Sequence, residues 1–235
     1  GMGWATKIID EIADNEEITE ENKAKYERFA KAYEFYFDKS TRFMRGLDSN
    51  GEWRTPFNPR ASTHRSDDYC EGTAWQWTWF VPHDVKGLMT LMGGKKAFVT
   101  KLDSLFNINT RIEGENVSSD ISGLIGQYAH GNEPGHHIIH LYNYAGQSNK
   151  TQQLADSVIQ SLYFNDPNGL SGNEDCGQMS AWYVLNALGF YQVSPGNPEW
   201  STGRPIFEKA IIHLPDNKQF IIEAKNQARQ NKYVE

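Results

Sequence analysis

The sequence predicts a mainly α-helical fold with a small β portion near the C-terminus. Apolar residues recur at helical spacing along most of the chain up to Gly189. After Gly189 the pattern changes to short apolar runs separated by Pro, Gly and Asp-Asn turns, which is typical of strands. Helices that alternate with long polar loops indicate helical hairpins, whose loops gather at one end and carry function. With 235 residues, 38% of them apolar, the chain can bury a sizeable core.

The first half of the chain contains helical segments separated by a polar loop. Residues 4–13 have a helical apolar pattern, and a longer helix is predicted over 20–38, with Thr19 as its cap. Residues 46–68 contain prolines and glycines and predict a loop. In segment 71–80 three tryptophans alternate as they would along a strand, whereas Trp75 and Trp79 fit one helical face together with two small residues. We favour the helix.

The second half adds further helices and then the β portion. Helices are predicted over 84–92, 95–106, 135–145, 150–163 and 174–188, and short strands at Phe190–Val193, Ile206–Leu214 and Gln219–Glu223. Gly189 is expected to end the last helix. We therefore divide the chain into a helical portion, 1–190, and a β-rich segment, 191–235, packed on it.

Charge and composition exclude several classes of function. The net charge of −7 disfavours a nucleic-acid partner. No run of 18 apolar residues exists, so no membrane-spanning helix is predicted. Cys70 and Cys176 are too few for a disulfide scaffold, and we expect two buried free thiols.

One candidate site lies where an acidic stretch ends at Glu71 and the tryptophan segment begins. A carboxyl group among bulky rings is partly desolvated, which raises its pKa and suits a general acid. Indole faces such as that of Trp75 also suit sugar rings. The alternative is that the tryptophans belong to the core and that Glu71 stabilises a helix dipole.

A second candidate site is the histidine-rich stretch that begins at His130. His136 and His140 are spaced by four residues, as on one face of a helix, and with His137 they could bind zinc. Asn132 and Glu133 offer oxygen ligands, which suit calcium better. The alternative is a polar loop whose histidines bind carbonyl groups or solvent.

A third candidate site is the glycine-flanked acidic stretch that contains Asn173, Glu174 and Asp175. These acids could complement the dipole of the predicted helix, or one of them could be a base that activates water. Glycoside hydrolysis needs two carboxyl groups on opposite sides of a sugar. Glu71 and Asp175 are far apart in the chain, so only the fold could bring them together.

Three strings from these sites together resemble glycoside hydrolase family 92, whose members are exo-acting, calcium-dependent α-mannosidases. The strings are EGTAWQWTWFVPHD at 71–84, HGNEP at 130–134 and GNEDCGQMSAWY at 172–183. The resemblance covers most of the chain. It implies that the chain is part of an (α/α)6 barrel, that is, helical hairpins of a toroid. It also implies that an N-terminal β-sandwich domain belongs to the parent protein and is missing from this sequence.

The resemblance also implies roles for individual residues in an inverting hydrolysis of terminal α-linked mannose. Glu71 matches the general acid and Asp175 the general base. Calcium would bind at Asn132 and Glu133. Sugar recognition is expected from Trp75, His130 and Gln178. Family members can have an acid where this chain has Asn173, which leaves open whether Asn173 or Glu174 assists Asp175.

The same resemblance predicts mannose-containing glycans as partners, an α-1,2 linkage as the leading specificity, and export to the periplasm, cell surface or medium of a bacterium. Two other interpretations stay open. The chain could be a non-catalytic carbohydrate-binding or structural fragment. A zinc hydrolase that uses the histidines is the third interpretation.

Overall fold

The computed structural model describes residues 19–228 and 230–234 and confirms the mainly helical class. Its α-helices in that part of the chain are α1 (Glu20–Ala30), α2 (Ala74–Trp77), α3 (Val85–Leu91), α4 (Lys95–Asn107), α5 (Leu141–Tyr144), α6 (Ser148–Leu162) and α7 (Gln178–Leu188). Short 3-10 helices cover Ala32–Tyr36, Pro82–Asp84, Glu133–Gly135, Ile138–His140 and Pro215–Asn217. The helix predicted over 4–13 lies outside the described residues.

The strands are short and pair two by two. The pairs are β1 (Phe37–Asp38) with β2 (Phe43–Met44), β3 (Ala61–Thr63) with β4 (Glu113–Asn116), β5 (Leu124–Ile125) with β6 (Tyr128–Ala129), β7 (Phe190–Tyr191) with β8 (Ser201–Thr202), and β9 (Lys209–His213) with β10 (Gln219–Glu223). The β3–β4 pair is parallel and the others are antiparallel. The prediction that β structure is confined to the C-terminal segment was therefore wrong. The additional strands have two to four residues, too few for a period of two to be detected.

Most predicted helices occur near their predicted places, but several were predicted too long. The α-helical part of 20–38 ends at Ala30, and Phe37 already belongs to β1. α1 has no buried residue, so no packing extends it. Thr19 caps this helix as predicted, because its side chain accepts a hydrogen bond from the Asn22 backbone. The helix predicted over 135–145 is broken into 3-10 turns and the short α5.

The tryptophan segment adopts the predicted helix and packs one face into the core. The side chains of α2 and the next turn that face inward are all buried: Ala74, Trp75, Thr78 and Trp79. Trp79 packs edge-on against Phe98 of α4, with ring centroids 5.4 Å apart. Burial of such a ring stabilises the fold by roughly 2–3 kcal/mol. The helical interpretation of this segment is therefore confirmed.

At the end of α7, Gly189 adopts a left-handed conformation with φ 89° and caps the helix, as predicted. No helix within the described ranges is long and apolar enough to span a membrane. Cys70 and Cys176 are free, as predicted, but both are exposed, so the prediction of buried thiols was wrong. Both lie in irregular segments outside the helices and strands. The (α/α)6 barrel and the division at residue 190 stay predictions.

Candidate active site

Three loops meet at the site, namely 118–123, 130–133 and 171–175. The backbone N–H of Gly131 donates to the carbonyl of Ser122 over 3.1 Å. A Cβ at Gly131 would lie 2.0 Å from the Ser122 hydroxyl oxygen, and a Cβ at Gly172 would lie 2.5 Å from the Gly131 carbonyl oxygen. Both distances are below van der Waals contact. The loops can therefore approach this closely only because these positions are glycines.

Carboxyl groups from all three loops converge next to this contact. Burial, together with the nearby carboxylates of Asp175 and Asp120, raises the pKa of Glu133 to about 6. One oxygen of Glu133, Oε1, is buried and has no hydrogen-bond partner. The second and third candidate sites of the sequence therefore form one cluster. Asp120 belongs to it as well, although the sequence analysis did not select this residue.

Glu71 is joined to this cluster through its main chain. Its carbonyl oxygen accepts a hydrogen bond from Nδ2 of Asn132 over 2.7 Å. The next residue, Glu133, interacts with Asp175. A continuous series of contacts thus links the three stretches that the sequence analysis selected separately.

Glu71 and Asp175 share an unusual backbone conformation. Glu71 has φ 51° and Asp175 has φ 43°, both in the left-handed region, and Cys176 follows with φ 57°. A non-glycine residue held in a sparsely populated region of this kind costs about 1–3 kcal/mol. Such residues cluster at functional sites, where the surroundings hold them in place. This conformation also explains why α7 begins at Gln178 and not at residue 174.

The two neighbours of Asp175 have different partners. The carboxylate of Glu174 accepts hydrogen bonds from the backbone N–H of Ser180 at 2.9 Å and from its hydroxyl at 3.0 Å, so it caps the start of α7. The side chain of Asn173 points to another loop and donates to Oδ1 of Asp120 over 3.4 Å.

His130 lies in a buried layer of rings behind the cluster. Its Nδ1 pairs with the Tyr128 hydroxyl at 2.8 Å and its Nε2 with the Tyr163 hydroxyl at 2.7 Å. Burial lowers the pKa of His130 to about 2 and that of His136 to about 4, so both rings are neutral. Gln178 reaches this layer, because its Nε2 lies 3.2 Å from Nδ1 of His136.

The histidines proposed as zinc ligands point to separate partners. Nε2 of His136 bonds to the carbonyl of His130 and Nε2 of His137 to that of Trp79, while His140 bonds to Asn186 and Ser201. In the described part of the chain no three His, Cys, Asp or Glu residues form a group that could hold a metal. The geometry therefore gives no support to a zinc site.

Trp75 lies in the core, whereas Trp77 lies next to the Glu71 segment and lines a slot with Asn132. Trp75 is buried against Phe43 at 4.9 Å, with the Lys101 ammonium 4.4 Å from its ring. Trp77 instead lines a cleft of about 390 Å³ that also includes Cys70, the neighbour of Glu71. We call this the aromatic cleft; its rings are Tyr33, Tyr36, Tyr69, Trp77 and Phe80. Helical spacing could have found Trp77, since Trp75 and Trp79 occupy the inward face.

Nearly all of the chain is similar to one family of known proteins. The model of the glycosyl hydrolase family 92 catalytic domain matches residues 5–235. A family 92 α-mannosidase from Bacteroides thetaiotaomicron is 37% identical over 99% of this chain, with a TM-score of 0.83, or 0.87 for its complex with mannoimidazole. An inverting mannosidase of the same family and species is 35% identical over 96% of the chain, with a TM-score of 0.77.

These relatives are longer than this chain. The chain covers 28% to 31% of the length of the solved mannosidases. An uncharacterised secreted glycosidase of Arthroderma benhamiae is 30% identical over 153 residues, which are 65% of this chain and 18% of that protein.

Proposed function

The chain belongs to glycosyl hydrolase family 92, and on that premise we propose that its protein removes terminal α-linked mannose from glycans with inversion at the anomeric carbon. The observation that supports this most directly is the series of contacts from Glu71 through Asn132 and Glu133 to Asp175. It gathers the carboxyl groups of Asp120, Glu133 and Asp175, and Cys70, the neighbour of Glu71, lines the aromatic cleft.

In this proposal Glu71 protonates the leaving oxygen and Asp175 activates the attacking water. An inverting enzyme needs its two carboxyl groups about 6.5–9.5 Å apart, so that one water fits between the base and the sugar. Asp175 is exposed and Glu71 is half-buried, so both can reach a substrate that enters from solvent. Of the neighbours of Asp175, Asn173 is the better candidate for assisting it, since Glu174 is engaged in capping α7.

Asn132 and Glu133 offer oxygen donors, the ligand type that calcium prefers, although no three acidic, histidine or cysteine residues of the described chain form a metal-binding group. Oε1 of Glu133 is a buried oxygen without a hydrogen-bond partner, and two further carboxylates lie near it. Calcium prefers six to eight oxygen ligands, so Asn132 and Glu133 would supply only part of its coordination shell. When bound, the ion would offset the repulsion among the carboxylates and bind sugar hydroxyl groups.

We place sugar stacking on the aromatic cleft. Trp77 and Phe80 line both this cleft and a narrow slot beside Asn132. Of the residues assigned to sugar binding from the sequence, Gln178 is half-buried, whereas Trp75 and His130 are buried and would act from behind the site. An α-1,2 linkage stays the leading specificity.

Hydrolysis of α-linked mannobiosides by the parent protein tests the proposal. Glu71→Gln and Asp175→Asn should each lower kcat by at least 100-fold, whereas Asp166→Asn, on an exposed loop, should not. Proton NMR of the first product should show β-mannose. Initial release of α-mannose would exclude inversion, and full activity of either site variant would exclude the assigned roles. A chelator should remove activity, and calcium should restore it.

A non-catalytic carbohydrate-binding role is the second candidate, because the chain covers less than a third of the solved mannosidases and a sugar pocket draws on several loops. This second role would be favoured if the chain bound mannobiosides without hydrolysing them and if the parent protein were also unable to hydrolyse them.

We also propose that the protein is exported by a bacterium to its periplasm, surface or medium. The support is that the fungal relative is a secreted glycosidase and that the solved relatives come from Bacteroides thetaiotaomicron. Fractionation of the source cells would test this.

A further inference from the structure

We propose that Asp120 is a positioning residue for the catalytic base and that it acts by holding Asn173. The inference rests on the proposed function, in which Asp175 is that base. Asp120 lies on the loop 118–123, which the sequence analysis left without a role. Its carboxylate accepts a hydrogen bond from the Asn173 side chain, two residues before Asp175.

Asp120 is itself fixed in orientation by Ser118. The Ser118 hydroxyl donates to Oδ2 of Asp120 over 2.8 Å and accepts from the Asp120 backbone N–H over 3.3 Å. Ser118 is buried and Asp120 is half-buried, so this pairing is partly screened from water. Oδ1 of Asp120 is thereby left facing the loop that carries Asn173.

The loop 118–123 is held in place by backbone hydrogen bonds, both within the loop and to the loop that carries Gly131. The backbone N–H of Ile121 donates to the carbonyl of Ser118, and the carbonyl of Ser122 accepts from Gly131. Ser122 also lies where side chains at Gly131 and Gly172 would be, so the loop fills the space between the other two.

The segment after Asn173 needs such an anchor. Asp175, Cys176 and Gly177 are consecutive residues in the left-handed region, a conformation that persists only where the surroundings determine it. On the C-terminal side, Glu174 ties this segment to α7 through Ser180. On the N-terminal side, the hydrogen bond from the Asn173 side chain to the Asp120 carboxylate holds this segment against the loop 118–123.

Loss of this bond should therefore affect the placement of the base more than the binding of sugar. A misplacement of about 1 Å at a reacting group can cost about 100-fold in rate. We expect Asp120→Ala to lower kcat roughly 10- to 100-fold with KM changed less than about twofold, since Asp120 acts through Asn173.

The experiment compares Asp120→Ala, Asn173→Ala and the double variant in the parent protein. If both residues act through one bond, the double variant should be no slower than the slower single variant. Asp120→Asn keeps an acceptor oxygen for Asn173 and should retain kcat within about threefold of the wild type. Asp216→Asn, an exposed change in the C-terminal hairpin, is the matched control.

Three results would overturn the proposal: wild-type kcat in Asp120→Ala, multiplied losses in the double variant, or an Asp120→Asn variant as slow as Asp120→Ala. Hydrogen–deuterium exchange of residues 172–177 gives a readout that does not depend on activity. Exchange there should be faster in Asp120→Ala and Asn173→Ala, and unchanged exchange in both would also overturn the inference. Failure of the proposed function would appear separately, as no hydrolysis by the wild type or full activity in Glu71→Gln.

Discussion

Mild acid should destabilise this protein because its histidines are buried in neutral form. Burial lowers the pKa of His130 to about 2, of His136 to about 4 and of His140 to about 3. In the unfolded chain a histidine has a pKa of about 6.5. Below that pH the unfolded state binds protons that the folded state does not bind, so the free energy of unfolding must fall as the pH falls.

The size of this effect follows from the same values. Between pH 7.5 and 5.5 each of the three histidines removes about 1.4 kcal/mol from the free energy of unfolding, or about 4 kcal/mol together. His137 is fully buried with a lowered pKa and acts in the same direction. The raised pKa of Glu133 acts in the opposite direction. The offset should be less than about 1 kcal/mol, because Glu133 takes up its proton only in the lower part of this pH range and is partly exposed, so solvent screening reduces the effect further.

Urea unfolding followed by tryptophan fluorescence at pH 7.5 and 5.5 measures the difference directly, since Trp182 packs against His130 with ring centroids 4.4 Å apart. His213→Gln is the control, because His213 is exposed on β9 and its loss should leave the difference unchanged. A decrease smaller than about 1 kcal/mol, or a gain of stability at pH 5.5, would refute the inference that the histidine layer is buried and neutral.

Three further predictions concern the loop contact, the aromatic cleft and a buried ion pair. Gly131→Ala should force the loops apart and lower kcat for mannosides. It should also lower the free energy of unfolding, measured in urea, by about 1–3 kcal/mol. An unchanged kcat would contradict the loop contact. Trp77→Ala should raise KM for mannosides roughly tenfold, whereas Trp75→Ala should cost about 3–5 kcal/mol of stability; similar effects of the two would contradict their different placement. Asp38→Ala leaves the buried guanidinium of Arg45 without its carboxylate 2.8 Å away and should cost about 3–5 kcal/mol, measured by urea unfolding; a cost below 1 kcal/mol would contradict the pairing.

Periodicity predicted the parts of the fold that packing determines. The buried face of α2 and the end of α7 at Gly189 follow from apolar spacing and from the conformational freedom of glycine. The paired strands before residue 190 have no such signal, because two residues define no period. They result from contacts between distant parts of the chain, as in the parallel pairing of β3 with β4.

The sequence predicted which residues belong to the candidate site better than it predicted how their side chains are placed. Motif resemblance selected Glu71, Glu133 and Asp175, and the fold brings their segments together. It missed Asp120, which stands in a polar loop without a chemical signature of its own. It selected Trp75 over Trp77, because the motif marks the segment while the helix decides which ring faces the core.

The backbone conformation around Asp175 argues against the interpretation that this acid only complements the dipole of α7. Such an acid would lie in the first turn of the helix. Asp175 instead lies two residues before the cap residue Gly177, in the left-handed region. Its carbonyl oxygen accepts the hydrogen bond from Gln178, while the carboxylate of Glu174 serves Ser180. Since the needs of the helix start are met by these two groups, the Asp175 carboxylate is left free to face Glu133, where a base would be needed.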